Sequence, residues 1–499
     1  MLASCATPST FGPVSALPGS GVAAQSASRT AVVGASAPVC GQTALSLSQL
    51  EGCIVETSLW SHLSQLQTIA EAHRGTLGHP SRDTGTPGYR ASVDYVRGLM
   101  QQAGYTVSVQ QYNYLATSVS SAELASPSKQ YALERDYFVA RRSGAGTLTA
   151  PVDAAADGCA ASDFGSFTRG HIALIERGTC AFETEVDNAQ AAGASAVVVY
   201  ARPGDAAYEA KITDPASIPV IGVASNALGE ELLAQVRSGG APSLHIDVKT
   251  HTQTGIDYNL IADSPYGNTA HTFVVEGHLD AIYGEGILDN GSGSITILDI
   301  ALALAKTPTT NHLRFIWFGG EELGLLGSHY YTKHLTQPQR SQISFDLDAD
   351  VTATPNYDIL IADPAFAPNV SHFPPNVVPH SYVGTQDFAN YFKSIGVASQ
   401  SANFGNAGTD SNSFSLIGIP NTGILTNQDC CKKQWEVNIW GGFRGNYEGT
   451  IPSFNGGCVD QPHRWCDNLD NNDPFIFELV SKAVAAVTYE LANDPSLGS

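Results

Sequence analysis

Phe273-Val274-Val275-Glu276-Gly277-His278-Leu279-Asp280, followed by Gly286-Ile287-Leu288-Asp289-Asn290-Gly291-Ser292-Gly293, is the stretch around which the chain is organised. The first segment reads as a buried strand ending in His-x-Asp. The second reads as a Gly-rich turn with one Asp at its tip, before an apolar helical run from Ser294 to Ala305. Side chains alternate along a strand, so His278 and Asp280 point to one face. A neutral imidazole and a carboxylate at a strand end are what a divalent metal needs. Asp280 can also hold the far nitrogen of His278 and fix its tautomer. Asp289 has two free oxygens at a sharp bend and can bridge two metals. Taken singly, the histidine reads as a hydrogen-bonded structural residue and Asp289-Asn290-Gly291 as a turn. The case therefore rests on further ligands downstream.

A second strand, Leu313 to Phe318, runs into Gly319-Gly320-Glu321-Glu322-Leu323-Gly324. Two adjacent glutamates at a strand end are costly to bury. Their side chains diverge there, so one carboxylate can ligate metal while the other serves as general base toward a water. A third strand reads Ile343-Ser344-Phe345-Asp346-Leu347-Asp348-Ala349-Asp350, with the three aspartates on one face. A strand covered on both faces is apolar until it ends. Asp346, the first acid, is accordingly the expected ligand, with Asp348 and Asp350 behind it. Near the C-terminus, His463 lies between Cys458 and Cys466. The candidate ligand set is then His278, Asp289, Glu322, Asp346 and His463, with Glu321 left as the base. Five mixed donors, one of them bridging, suit two zinc ions.

The rest of the composition narrows the class. The chain has 499 residues and a formal net charge of -22 with only 25 Lys plus Arg. That excess of acid argues against nucleic acid or an anionic membrane as partner. No apolar run reaches the roughly 20 residues of a spanning helix. Of nine cysteines, eight fall near one another in sequence, which points to disulfides and an oxidising compartment. Connectivity does not follow from sequence alone. The expected pairs are Cys40–Cys53 and Cys159–Cys180, with Cys430, Cys431, Cys458 and Cys466 paired among themselves. Leu2-Ala3-Ser4-Cys5 has the look of the end of a lipoprotein signal, which makes Cys5 a candidate lipid anchor, although four residues match readily by chance.

Residues 1–45 form an Ala/Ser/Gly/Thr/Pro-rich leader with no helical period. Residues 46–118 alternate helical segments with a turn at Thr84 to Tyr89 and end in a strand from Val107. Residues 119–250 form a small α/β unit, and residues 251–499 carry the candidate site. The small unit closely resembles the protease-associated domain through Gly158-Cys159, Gly170 to Ile175, Arg177-Gly178-Thr179-Cys180-Ala181-Phe182, Asn188 to Ala194 and Ile218-Pro219-Val220. The resemblance implies a module that shapes substrate access without chemistry of its own.

From about residue 50 to the end, the motifs His278-Leu279-Asp280, Leu288 to Gly293, Phe318 to Gly324 and Gly327-Ser328 resemble the two-zinc aminopeptidase family. Its relatives include aminopeptidase Y, bacterial leucyl aminopeptidases, glutamate carboxypeptidase and glutaminyl cyclase. The fold so implied is α/β, a mixed central sheet sandwiched by helices, with the small domain inserted. The resemblance implies that His278 and Asp346 hold one zinc, Glu322 and His463 the other, and Asp289 bridges them. Glu321 would be base and then acid. Asp280 would support catalysis, and Thr409-Asp410 would lie near the substrate pocket. The implied protein is a secreted or extracytoplasmic aminopeptidase that acts on peptides with a free N-terminus. Alternatives are a carboxypeptidase or glutaminyl cyclase of the same family, or an inactive receptor-like binding protein. Three departures stand out. The third strand lacks the usual Asn-x-Asp, the segment from Asp346 to Asn356 is long, and Pro462 stands where many relatives have Tyr.

Overall fold

The computed structural model describes residues 40–497 except 76–77, 134, 179, 204–209, 211, 213, 241, 283, 403–408, 429–431 and 448–466. His463, Pro462, Cys5 and the four C-terminal cysteines fall outside the described residues. Among the described residues, thirteen strands form one mixed sheet. In chain order they are β1 (Thr106–Ser126), β2 (Lys129–Tyr131), β3 (Gly146–Ala155), β4 (Ile172–Glu176), β5 (Ala196–Tyr200), β6 (Val220–Ala224), β7 (Ser243–Asp263), β8 (Asn268–His278), β9 (Asn311–Phe318), β10 (Ile343–Ala349), β11 (Leu360–Ala362), β12 (Gln400–Ala402) and β13 (Asn421–Leu425). The spatial order is β12-β11-β13-β10-β8-β9-β7-β3-β4-β5-β6, with β1 along β7.

The strands that carry the motifs sit at the middle of the sheet. β10 is parallel to β8, and β8 is parallel to β9, so their C-terminal ends share one edge. That is where ligand sites form in such sheets. β8 and β10 are buried from end to end in their later halves because helices cover both faces. One face packs on helices Glu56–Ala72, Pro87–Ala103, Gly293–Leu304 and Pro474–Asn493. Their apolar residues interleave with Phe273, Val275, Phe315, Trp317 and Leu347 in the main core. The most apolar segment, Ile287–Leu304, is long enough to cross a bilayer by composition but is 89% buried inside this core. Asp473 caps the last long helix, accepting from the N–H groups of Phe475 and Ile476. Of the acids before that helix, Asp473 thus serves its start.

The inserted unit has its own apolar clusters, one around Ile172, Leu174, Val198 and Leu232 and one around Ile175, Val186, Val197 and Val223. It is joined by strands rather than by linkers. β1 and β7 are each 21 residues long and pair antiparallel along almost their whole length. They run straight through residues 118 and 250, the positions where the composition changes. A bulge between Val119 and Ser121 falls beside the first of them. Short-period alternation from Val107 marked the first half of β1, but not its continuation. The expected disulfides Cys40–Cys53 and Cys159–Cys180 are both formed.

Candidate metal centre

His278 is the last residue of β8, and its ring is buried. Its Nδ1 lies 3.1 Å from the backbone carbonyl of Asp280 and 3.6 Å from Asp280 Oδ1. The proton is therefore held on Nδ1, and Nε2 is left facing forward. Nε2 lies 3.1 Å from Asp289 Oδ1 and 3.4 Å from Asp350 Oδ1. These three atoms lie within 4.8 Å of one another. Three lone-pair atoms turned toward a common point repel unless a proton or a cation stands between them. Mixed imidazole and carboxylate donors are the set that zinc fits. Burial alone would lower the pKa of His278, but Asp350, Asp280 and Asp289 outweigh it and hold the imidazole well above its ordinary value.

The expectation for the third strand is corrected here. Asp350, not Asp346, meets His278. β10 stays buried through Ala349, and its acids do not mark its end. Asp346 pairs with Val274 in register, four residues before the edge, about 13 Å along the strand at ~3.3 Å per residue. The rule that a covered strand stays apolar until it ends fails on this strand because Asp346 and Asp348 are both fully buried inside it.

Asp280 organises the glutamate turn. Its carboxylate accepts from the Thr84 hydroxyl at 2.7 Å and from the N–H groups of Glu321 at 3.2 Å and Glu322 at 3.4 Å. Those donors and His278 hold its pKa below the ordinary value despite complete burial. Glu322 is buried and Glu321 half-buried. Burial, with Glu322, Asp410 and Asp350 nearby, pushes the Glu321 carboxyl well above its ordinary range, against the pull of His278. Asp410 is buried at the start of helix Ser411–Leu416, close enough to His278 to feel its charge. Among the described residues, then, His278, Asp280, Asp289, Glu321, Glu322 and Asp410 share one sheet edge. Asp346 lies deeper, and His463 is not described.

Two residues that the motifs do not include hold the loop that carries Asp289. Arg82 is completely buried, and its guanidinium donates to the carbonyls of Leu279 at 2.7 Å, Glu285 at 2.6 Å and Gly286. Asp467 accepts from the N–H groups of Leu288 at 2.8 Å and Asp289 at 2.9 Å. Burial lowers Arg82 to about 10 and raises Asp467 to about 8. A lone arginine in a turn-rich stretch and an aspartate before a helix carry no spacing signal in sequence.

The chain matches the family described as Peptidase family M28 over residues 259–488, and the PA domain over residues 145–232. It is similar to an aminopeptidase of Pseudomonas aeruginosa, 32% identical over 463 residues, covering 88% of this chain and 81% of that one. It is also similar to the probable lipoprotein aminopeptidase LpqL of Mycobacterium tuberculosis, 30% identical over 428 residues, covering 83% and 81%. In fold it is similar to the aminopeptidase from Aneurinibacillus sp. strain AM-1, with a TM-score of 0.69, 21% identity and coverage of 91% and 97%. It is likewise similar to a zinc aminopeptidase from Bacillus subtilis, with a TM-score of 0.66, 22% identity and coverage of 88% and 96%.

Proposed function

We propose, since this chain is an aminopeptidase of peptidase family M28 with an inserted PA domain, that it is an extracytoplasmic two-zinc enzyme removing N-terminal residues from peptides. The observation that carries this reading is the convergence of His278 Nε2, Asp289 Oδ1 and Asp350 Oδ1 beside a turn bearing two glutamates. In this reading His278 and Asp350 would hold one ion and Glu322 and His463 the other, with Asp289 as the donor available to both. The bound ions would supply Lewis acidity toward the scissile carbonyl and make water a better nucleophile near neutral pH. Asp280 fixes the His278 ring and the direction of the glutamate turn. Glu321 takes a proton from the attacking water and passes it to the leaving amine. Asp410 lies where an acid can face the positively charged substrate N-terminus. Residues 46–118 and 251–499 make the peptidase, and residues 119–250 the insert. Two disulfides support an oxidising location.

The test is cleavage of leucine p-nitroanilide against an N-blocked peptide, together with metal content. Two zinc ions per chain and cleavage of only the free-amine substrate are expected. Glu321→Ala lowers turnover about 100-fold or more and keeps both ions. Full turnover in that variant, or preference for the blocked peptide, would overturn the reading.

A further inference from the structure

The glutamate turn is held on one side by Asp280. On its other side it is held by the strands that lead to the insert. Tyr112 on β1 donates its hydroxyl to the Gly319 carbonyl at 2.6 Å. Asn259 on β7 accepts from the Gly319 N–H at 3.2 Å. The amide nitrogen of the same Asn259 donates to the Gly327 carbonyl at 2.9 Å and to Gln110 Oε1 at 2.9 Å. Both backbone groups of Gly319 thus end on side chains of the arm, and the peptide after the turn is tied to the same asparagine. Gln110 lies opposite Asn259 and Tyr112 opposite Asp257 in the β1–β7 register. With a period of two, these four side chains share the face turned to the glutamates.

The glycines of Gly319-Gly320-Glu321-Glu322-Leu323-Gly324-Leu325-Leu326-Gly327 read differently in this light. A Cβ at Gly319 would lie 2.2 Å from the Tyr89 hydroxyl, and one at Gly327 would lie 2.3 Å from Asn259 Oδ1. The Tyr89 hydroxyl is itself fixed, donating to the Tyr258 carbonyl at 2.6 Å. Glycine is needed at these two positions so that groups on and beside the arm can reach the backbone.

We propose that Tyr112 and Asn259 are positioning residues, and that the paired arm carrying the insert is part of the frame that aims Glu321 and Glu322. This rests on the reading of Glu321 as the base. Without the arm's two side chains, the buried N–H and C=O of Gly319 lose these hydrogen-bond partners. The turn then shifts to find other partners, and displacement of a reacting group by ~1 Å costs up to ~100-fold in rate.

The experiment uses the full, zinc-loaded chain with leucine p-nitroanilide. Tyr112→Phe and Asn259→Ala are each expected to lower kcat about tenfold or more, with KM within about twofold and zinc content unchanged. The acidic limb of the kcat–pH profile shifts with them, because the surroundings of Glu321 change. Val248→Ala, in the core of the insert on the same strand β7, lowers Tm without touching the turn and keeps wild-type kcat. Wild-type kcat and pH profile in both arm variants, with Glu321→Gln inactive, would overturn the positioning role alone. An equal fall in kcat in Val248→Ala would also overturn it, in favour of general loosening. Full activity in Glu321→Gln would overturn the reading of the base, and the proposal with it.

Discussion

The insert and the catalytic half both run parallel strands toward helices, yet they bury different side chains. β4, β5 and β6 read Ile172-Ala173-Leu174-Ile175-Glu176, Ala196-Val197-Val198-Val199-Tyr200 and Val220-Ile221-Gly222-Val223-Ala224, apolar along almost their whole length. The insert's fully buried acid, Glu185, is partly compensated, its Oε1 meeting Arg177 and the Gly178 N–H at 2.7 Å while its Oε2 accepts no hydrogen bond among the described residues. In the catalytic half, Glu276, Asp346 and Asp348 are buried inside the strands themselves. The carboxylates of Glu276 and Asp346 accept no hydrogen bond among the described residues. Burial, with the neighbouring acids, raises the pKa of both well above the ordinary range. Leaving charge buried and unpaired costs several kcal/mol. Such residues persist where function needs them, so the contrast separates a half built for stability from a half built to handle charge.

The largest effect that can break this contrast concerns which acid of β10 and its end does the work. Asp350→Ala is expected to weaken metal binding by ~100-fold or more and to abolish turnover. Asp346→Ala keeps its metal. Metal content of the two purified variants, measured after dialysis, decides between them. Loss of zinc in Asp346→Ala with retention in Asp350→Ala would return the ligand to the deeper position.

A smaller effect compares one buried charge from each half. Arg82→Ala removes the guanidinium donor from the carbonyls of Leu279 and Glu285 and leaves that of Gly286 with the Gly291 N–H alone. A loss of about 3–5 kcal/mol in stability is expected, together with weaker metal binding. Glu185→Ala removes the carboxylate that pairs with Arg177 and accepts from the Gly178 N–H, and is expected to cost about 1–3 kcal/mol, with kcat per folded molecule unchanged. Denaturant melts and zinc titration of both variants sharpen the contrast. A fall in kcat for Glu185→Ala at full folding would show that the halves are not separable in this way.

How much of this was legible beforehand follows from local chemistry. His278-Leu279-Asp280 and Gly319-Gly320-Glu321-Glu322 could be read because each pattern is short and sits at the end of an apolar run. The pairing Cys159–Cys180 was an expectation that the structure bears out, although its connectivity did not follow from sequence. Asp350 was not, because three aspartates at a period of two give three equally spaced candidates, and only packing decides how far the strand stays covered. Arg82, Asp467, Tyr112 and Asn259 were illegible for a different reason. Each acts on backbone groups between 60 and 207 residues away, and a backbone partner leaves no mark in the sequence. The arm was hidden too, since the middle of β7, from Lys249 to Thr254, is polar on both faces, and a two-stranded ribbon in solvent needs no apolar alternation.

The smallest effect tests whether buried acid in the catalytic half is costly away from the site as well. Asp299 lies on the helix Gly293–Leu304, 4% exposed. Its carboxylate makes no hydrogen bond of normal geometry, and His62 Nε2 stands 3.6 Å away. Burial raises Asp299 to about 7, with Ser58 offsetting part of the rise. Burial also lowers the pKa of His62, so the imidazole is uncharged at neutral pH and does not compensate. A carboxyl whose folded pKa is raised binds its proton more tightly in the native state. Its contribution to stability is complete below about pH 4, the unfolded value, and is lost as pH rises toward 7. Asparagine has the same shape and does not titrate. Asp299→Asn is therefore expected to match the wild type near pH 4 and to exceed it by about 1–3 kcal/mol at pH 8. Paired thermal melts across that range measure it. A variant less stable than the wild type at pH 8 would mean that Asp299 is compensated as well as Glu185 is, and the contrast would then be confined to the metal centre.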